Sequence, residues 1–344
     1  MPAPVLAVAN DKADTASQSV RFALFADNPY SDKAEKQVAQ ALQRAAPGAS
    51  FFIHVGDIKG GGERCDDGLL LRRLALLKDA PRPMLLTPGD NEWTDCHRIV
   101  AGNFDPLERL QWLRREVFAE QRSLGQPALS VQNQTAGGLL PSPLAVGDID
   151  RLGLPENQQW QMGPCQFVSL SVTGSAHGFR SGIDEQFIAA HARANQRWLS
   201  HALNLAIENE RSVLVVVCHA EFGPAKLSAQ DSQTDALNRM QPYAWLRSAL
   251  HQTVVQFPGT VLLLNGDTHV FALDQPWARQ VRSGSAASLP TYGVDQASAQ
   301  SRMKRFTRIR GIGAPAASAF VSIEISQPVD PDAPIDLTVT PYLF

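Results

Sequence analysis

The 344-residue chain contains no apolar run near the roughly 18 to 20 residues that cross a bilayer, so no membrane-spanning segment and no membrane partner are expected. Cysteine is scarce: four in 344 residues do not make the disulfide framework of a small secreted scaffold. An excess of either charge is missing too. Lys and Arg number 31 against 34 Asp and Glu, and the basic residues are dispersed, which excludes the concentrated basic stripe of a nucleic-acid binder. Neither G-x-G-x-x-G nor a Gly-Lys-Ser/Thr ending occurs, so the common nucleotide-binding loops are absent. Residues 1–18 have no basic n-region, and their apolar stretch, residues 4–9, is short for the roughly 7 to 15 residues of a signal peptide. They read as a flexible tail before a single domain, residues 19–344.

What the chain does have is 44% hydrophobic residues, enough for a large core, arranged in short runs with a shared ending. Residues 22–26 run into Asp27, residues 51–55 into Gly56-Asp57, and Leu85-Leu86-Thr87 into Pro88-Gly89-Asp90-Asn91-Glu92. Residues 213–218 run into His219, and residues 261–265 into Gly266-Asp267-Thr268-His269. Buried parallel strands deliver polar side chains to their C-terminal edge in this way. Between the first three runs, residues 32–46 and 66–78 carry helical periodicity, which predicts right-handed β-α-β units. Residues 125–160, rich in Gly, Pro, Gln and Asn, read as an insertion or lid. From Arg279 onward, residues 280–283, 319–325 and 335–340 alternate as antiparallel strands, with an exposed basic loop at 301–313.

Carboxylates gathered at one sheet edge repel each other and are costly to bury without counter-charge. Two divalent metal ions remove that cost. A mixed set of carboxylate oxygens and imidazole nitrogens suits Mn, Fe or Zn better than Ca. A metal pair polarises a phosphoryl group and lowers the pKa of a bridging water, so the expected chemistry is hydrolysis of a phosphate ester. The glycine-rich loop Lys59-Gly60-Gly61-Gly62 reads either as a connection or as close backbone approach to a ligand.

These residues resemble, over roughly residues 20–325, the calcineurin-like metallophosphoesterases, whose motifs D-x-H, G-D, G-N-H-D/E, a lone His and G-H-x-H fall at strand ends. The resemblance implies a four-layer αββα sandwich with mixed central sheets. It implies that Asp27, Asp57 and His269 hold one ion, and Asp57, Asp90, His219 and Asp267 the other, with a metal-activated hydroxide attacking a phosphomonoester or phosphodiester. Pro29 stands where the first motif has His, Asp90 where Asn is usual and Asp267 where His is usual; the added negative charge shifts preference toward Mn or Mg. Asn91 takes the place of a His that protonates the leaving group or stabilises the transition state; an amide donates a hydrogen bond but delivers no proton. Sliding the motif by one residue makes Asn91 the amide ligand and puts Glu92 at the His position. The first alignment is preferred because it keeps Pro-Gly and the terminal acid in place.

His97 is then the nearest replacement acid, and Lys59 and Asn28 are the candidate contacts to a small phosphorylated substrate. The alternative is a protein that binds metal or phosphate with little turnover. Cys65 and Cys96 lie on loops after neighbouring strands; a bridge between them implies a periplasmic or secreted protein, and no bridge a cytoplasmic one.

Overall fold

Val20, Phe22 and Leu24 face one apolar cluster and Ala23 and Phe25 another, so the first strand, β1 (Ser19–Phe25), is covered on both sides. The computed structural model describes residues 19–135, 146–179, 181–221, 241–282, 290–327 and 334–344. The expected tail, 1–18, and the loop at 223–239 lie outside the described residues.

Two sheets stack face to face. The first has the order β12-β11-β1-β2-β3, with β2 (Phe51–His54), β3 (Met84–Leu86), β11 (Phe320–Ser326) and β12 (Asp336–Tyr342). Strands β1, β2 and β3 run parallel, and β11 and β12 are antiparallel additions at one side. The second has the order β4-β5-β6-β7-β8-β10-β9. Its parallel centre is β6 (Cys165–Ser169), β7 (Val213–Val217), β8 (Thr260–Asn265) and β10 (Thr307–Arg310). Strands β4 (Gln132–Asn133), β5 (Gln158–Met162) and β9 (Ala272–Asp274) are antiparallel at its edges.

The core between the sheets is built from the inward residues of both. Phe22 stacks on Phe51 with centroids 5.1 Å apart, and Phe167 of the other sheet packs edge-on against Phe22 at 5.5 Å. A fully buried aromatic ring of this kind contributes about 1.5–3 kcal/mol. Outside the first sheet lie α1 (Asp32–Ala45), α2 (Asp67–Lys78) and α3 (Pro106–Glu116), capped by Ser31, Asp66 and Asp105. Outside the second lie α5 (Glu185–Glu208), α6 (Ala244–Gln256) and α8 (Gln296–Lys304). The order of layers is helix, sheet, sheet, helix, and the protein is an α/β sandwich with two mixed sheets.

The segment read as an insertion contributes, in its described part, β4, β5 up to Trp160 and the helix α4 (Val146–Leu152). Two expectations near the C-terminus are corrected. Residues 280–282 are not a strand: a helix, α7 (Pro276–Arg282), occupies them and sets Trp277 flat on Phe306, with centroids 4.3 Å apart, while residue 283 lies outside the described residues. Residues 301–313 are not an exposed loop, since α8 and then the buried strand β10 occupy them. Two of the basic residues that suggested solvent are neutralised internally: Arg308 pairs with Glu221 at 2.5 Å and Asp274 at 2.6 Å, and Arg310 with Glu221 at 3.2 Å.

Candidate metal centre

The parallel strands of both sheets end at one edge, and the loops that leave them are stitched across the gap. Asp27 receives the Asp267 amide on Oδ1 at 3.0 Å, and its own amide donates to the Gly56 carbonyl at 3.1 Å. Gly266 N–H donates to the His219 carbonyl at 3.0 Å. The Gly-Asp pairs have a steric reason. A Cβ on Gly56 would sit 2.4 Å from the Gly89 nitrogen, and one on Gly89 only 2.1 Å from Asp57 Oδ1, so these two loops cross where no side chain fits.

Backbone strain marks the same place. Asp27, Asp57, Asp267 and His269 have φ of 52°, 58°, 71° and 62°, and with Ser175, Ala176 and His177 they make up seven of the ten non-glycine residues of positive φ among the described residues. Each costs about 1–3 kcal/mol and persists only where the surroundings enforce it, which is characteristic of functional sites.

Two groups of potential ligand atoms result, each with its atoms within 4.8 Å of one another: Asp27, Asp57 and His219, and Asp90, His219 and Asp267. His219 belongs to both. Its Nε2 lies 3.2 Å from Asp90 Oδ1, 3.6 Å from Asp57 Oδ1 and 3.9 Å from Asp267 Oδ1. Its Nδ1 donates to the Val55 carbonyl at 2.6 Å, the arrangement that aims the other nitrogen's lone pair at a metal. His269 is built alike, with Nδ1 on the Ala314 carbonyl at 3.0 Å and Nε2 3.8 Å from Asp27 Oδ1, and stands beside the two groups on the Asp27 side.

The residues fit a pair of cations. Asp27 Oδ2 and His219 Nε2 are buried without a hydrogen-bond partner among the described residues. Such atoms are costly unless something else satisfies them. The protonation pattern says the same. Burial, opposed by His219, raises Asp27 to about 7, and burial likewise raises Asp267 to about 6 and Asp57 well above the usual carboxylate range. Asp90 is held low despite burial, by the His219 imidazolium 3.2 Å from its Oδ1. Against the burial that disfavours its charge, Asp57 and Asp90 hold the His219 imidazolium above its ordinary value. This cluster takes up positive charge from whatever source offers it.

Of the other expected residues, Asn91 is at the centre. Its backbone N–H donates to Asp57 Oδ1 at 3.0 Å, and its side-chain amide to Oδ2 at 2.6 Å. Lys59 and Asn28 bond to the backbone. Both are buried, with Lys59 Nζ on the carbonyls of Gly60 and Glu63 (3.1 and 3.0 Å) and the Asn28 amide on those of Ala26 and Ala316 (3.4 and 3.5 Å). His97 is half-buried and bonded through Nδ1 to the Thr94 carbonyl at 2.7 Å, with no contact to the carboxylates among the described residues. Its helical turn, Thr94–His97, carries it away from the register of the motif.

Glu92 ties the backbone together. Fully buried, it accepts N–H bonds from Gly89 at 2.7 Å, Asp57 at 3.2 Å and Ile58, and so ties the two crossing loops together. Glu92→Ala leaves three buried donors unpaired and is expected to lower stability by about 3 kcal/mol or more, read as a fall in the urea midpoint at unchanged slope. Glu92→Gln, which keeps one acceptor oxygen, should lose less.

Two residues that sequence reasoning passed over belong here. Tyr30 donates its hydroxyl to Asp57 Oδ2 at 3.0 Å and stands 3.3 Å from His269 Nε2. Ser175, from the loop after β6, donates to Asp90 Oδ2 at 2.5 Å. The sequence signal for Tyr30 is its place three residues after Asp27 on the same loop; Ser175 has none. Cys65 and Cys96 are joined in a disulfide beside this loop system, and Cys165 and Cys218 are buried and free. No helix among the described residues is long and apolar enough to cross a membrane.

No family model matches the chain, and no curated protein sequence does. Among solved structures, the GAP50 anchor in the inner membrane complex of Plasmodium aligns at a TM-score of 0.45 and 11% identity, over 93% of this chain and 88% of that one. Purple acid phosphatase PPD1 from yellow lupin (Lupinus luteus) seeds aligns at 0.45 and 10% identity, over 95% of this chain; the match spans 54% of the lupin chain, about half its length.

Proposed function

We propose that the protein is a metal-dependent phosphoesterase of the calcineurin-like type, acting on a small phosphorylated substrate rather than on nucleic acid or at a membrane. The observation that carries this reading is the pair of buried carboxylate–imidazole groups sharing His219, with Asp27 Oδ2 and His219 Nε2 lacking hydrogen-bond partners among the described residues. Asp27, Asp57 and His219, with His269 alongside, would hold one divalent ion, and Asp90, His219 and Asp267 the other, with Mn, Fe, Zn or Mg as candidates. Such a pair supplies Lewis acidity toward a phosphoryl group and a nucleophile at neutral pH.

The chain's own residues do the positioning. Glu92 fixes the two Gly-Asp loops in register, Val55 and Ala314 orient the two imidazoles, and Tyr30 and Asn91 hold Asp57 from one side. Tyr30 keeps its proton, because burial and the Asp57 carboxylate both disfavour the phenolate. The Cys65–Cys96 bridge suits an oxidising compartment, periplasmic or extracellular.

One observation favours binding with little turnover: the Asn91 amide is committed to Asp57, and no imidazole takes its place. The two readings separate in a single experiment. Purified protein is assayed for metal content and for Mn-dependent hydrolysis of a generic aryl phosphate. About two ions per chain with turnover is the expected result. Metal without turnover would favour the binding protein, and no metal under any loading condition would remove both.

A further inference from the structure

Ser175, Ala176 and His177 are consecutive and all left-handed, with φ of 48°, 59° and 55°. Three such residues in a row are unfavourable for L-amino acids and must be held by their surroundings. Tyr243 does this: its hydroxyl accepts the His177 N–H at 3.1 Å and donates to the Thr173 carbonyl at 2.9 Å. The enforced turn brings Ser175 Oγ 2.5 Å from Asp90 Oδ2 and 2.9 Å from Asp95 Oδ2. Arg98 completes the set. Its Nη2 donates to Ser175 Oγ at 3.2 Å and pairs with Asp95 at 2.5 Å, so the guanidinium stands one hydroxyl away from a candidate metal ligand.

The rest of that guanidinium is uncommitted. The Arg98 side chain is 44% exposed, whereas that of Asp95 is 4% exposed, and among the described residues Nη1 has no hydrogen-bond partner. Two buried arginines of this protein are committed to acids. Arg114 is fully buried in a two-bond pair with Glu156, and Arg308, 7% exposed, is spent on two acids. The uncommitted edge also has a defined neighbour. A Cβ placed on Gly61 would lie 3.4 Å from Arg98 Nη1 and 2.9 Å from Asn91 Oδ1, so only glycine lets this loop close against both side chains. Lys59, the other cation of this loop, is spent on backbone carbonyls.

We propose that Arg98 is the anion contact of this centre, its Nη1 edge binding a non-bridging oxygen of a phosphoryl group, while Asp95 and Ser175 hold the guanidinium in place. Guanidinium is the side chain best matched to phosphate oxygens, and here it brings positive charge to the face where Asn91 offers none. The assignment rests on the phosphoesterase reading and names the residue that recognises the charged part of its substrate.

The test compares wild type, Arg98→Met and Arg98→Lys, each loaded with Mn. Inorganic phosphate is the probe, its binding followed by calorimetry and by inhibition of aryl phosphate hydrolysis. Metal content and melting temperature are measured alongside. Arg98→Met should weaken phosphate binding about 10- to 100-fold, the loss of one charge-assisted contact, and lower kcat/KM at least as much. Metal content and melting temperature should not change, and Arg98→Lys should recover part of the loss. Unchanged phosphate binding in Arg98→Met would overturn the assignment. So would a loss of phosphate binding that tracks a loss of bound metal or of melting temperature, since that is the signature of a brace. Wild-type protein that takes up neither Mn nor phosphate would instead bring down the phosphoesterase reading itself. Binding without turnover still tests Arg98 through the calorimetric arm.

Discussion

Asp57→Asn is expected to lower Mn-dependent hydrolysis of an aryl phosphate by about 10³-fold or more, and to reduce bound metal below two ions per chain. Asp57 is placed between the groups: it shares one with Asp27 and His219, and its Oδ1 is 3.6 Å from the His219 Nε2 that also serves Asp90 and Asp267. Its two oxygens receive the Asn91 N–H, the Asn91 amide and the Tyr30 hydroxyl. Replacing one oxygen by NH₂ keeps the volume, removes a charge and turns a donor toward donors. The fold should survive. In chelator-treated protein the variant should be at least as stable as wild type, because ionising a buried carboxylate among other carboxylates is unfavourable and Asn does not ionise. Lost activity with retained or raised chelated stability is therefore the expected signature. Equal activity in both proteins would refute the metal-centre assignment, and a collapsed melting temperature would show that Asp57 serves the fold first.

The sequence carried the architecture because the strands are continuous apolar runs that stop abruptly. Residues 22–26 and 213–218 can only be covered on both faces, and their polar endings could lie only at a common edge. Three things were not legible. Strand β10 was hidden because Arg308 and Arg310 look solvated until Glu221 and Asp274 appear beside them. The partners of Lys59, Asn28 and His97 could not be read from adjacency: all three side chains bond backbone carbonyls, since the backbone between a motif residue and its neighbour decides which way a side chain turns. The left-handed conformations at Asp27 and Asp57 show how sharply it turns. Finally, the grouping of candidate ligand atoms differs from the expected one, with His219 rather than His269 beside Asp27 and Asp57. That depends on where two sheets meet, a contact between residues 164 positions apart in the case of His219 and Val55.

The cluster's raised carboxylates give stability a pH dependence that metal should cancel. Asp27 titrates near 7 and Asp267 near 6 when folded, both above the ordinary 3.8, so their contribution to stability is present below that ordinary value and is lost as pH rises through 6 to 7. His219, raised as well, acts in the same direction. Asp90, held low, contributes a constant amount over this range. Buried histidines elsewhere oppose the trend: burial lowers His54 to about 4 and depresses His177 and His191, so stability rises with pH until the unfolded histidines have lost their protons near 6.5. Those groups lie outside the cluster and act equally with and without metal. The informative quantity is thus the difference in unfolding free energy between Mn-loaded and chelated protein. Metal at about 1,000 times its dissociation constant adds about 4 kcal/mol per site, and it must displace protons from Asp27 and Asp267 to bind. The difference should therefore widen by about 2–4 kcal/mol between pH 6 and pH 8, with protons released to the buffer on loading at pH 6. Asp57→Asn should flatten the profile. A difference that is independent of pH, or that narrows toward pH 8, would mean that these carboxylates are already ionised without metal and that the fold itself supplies their counter-charge.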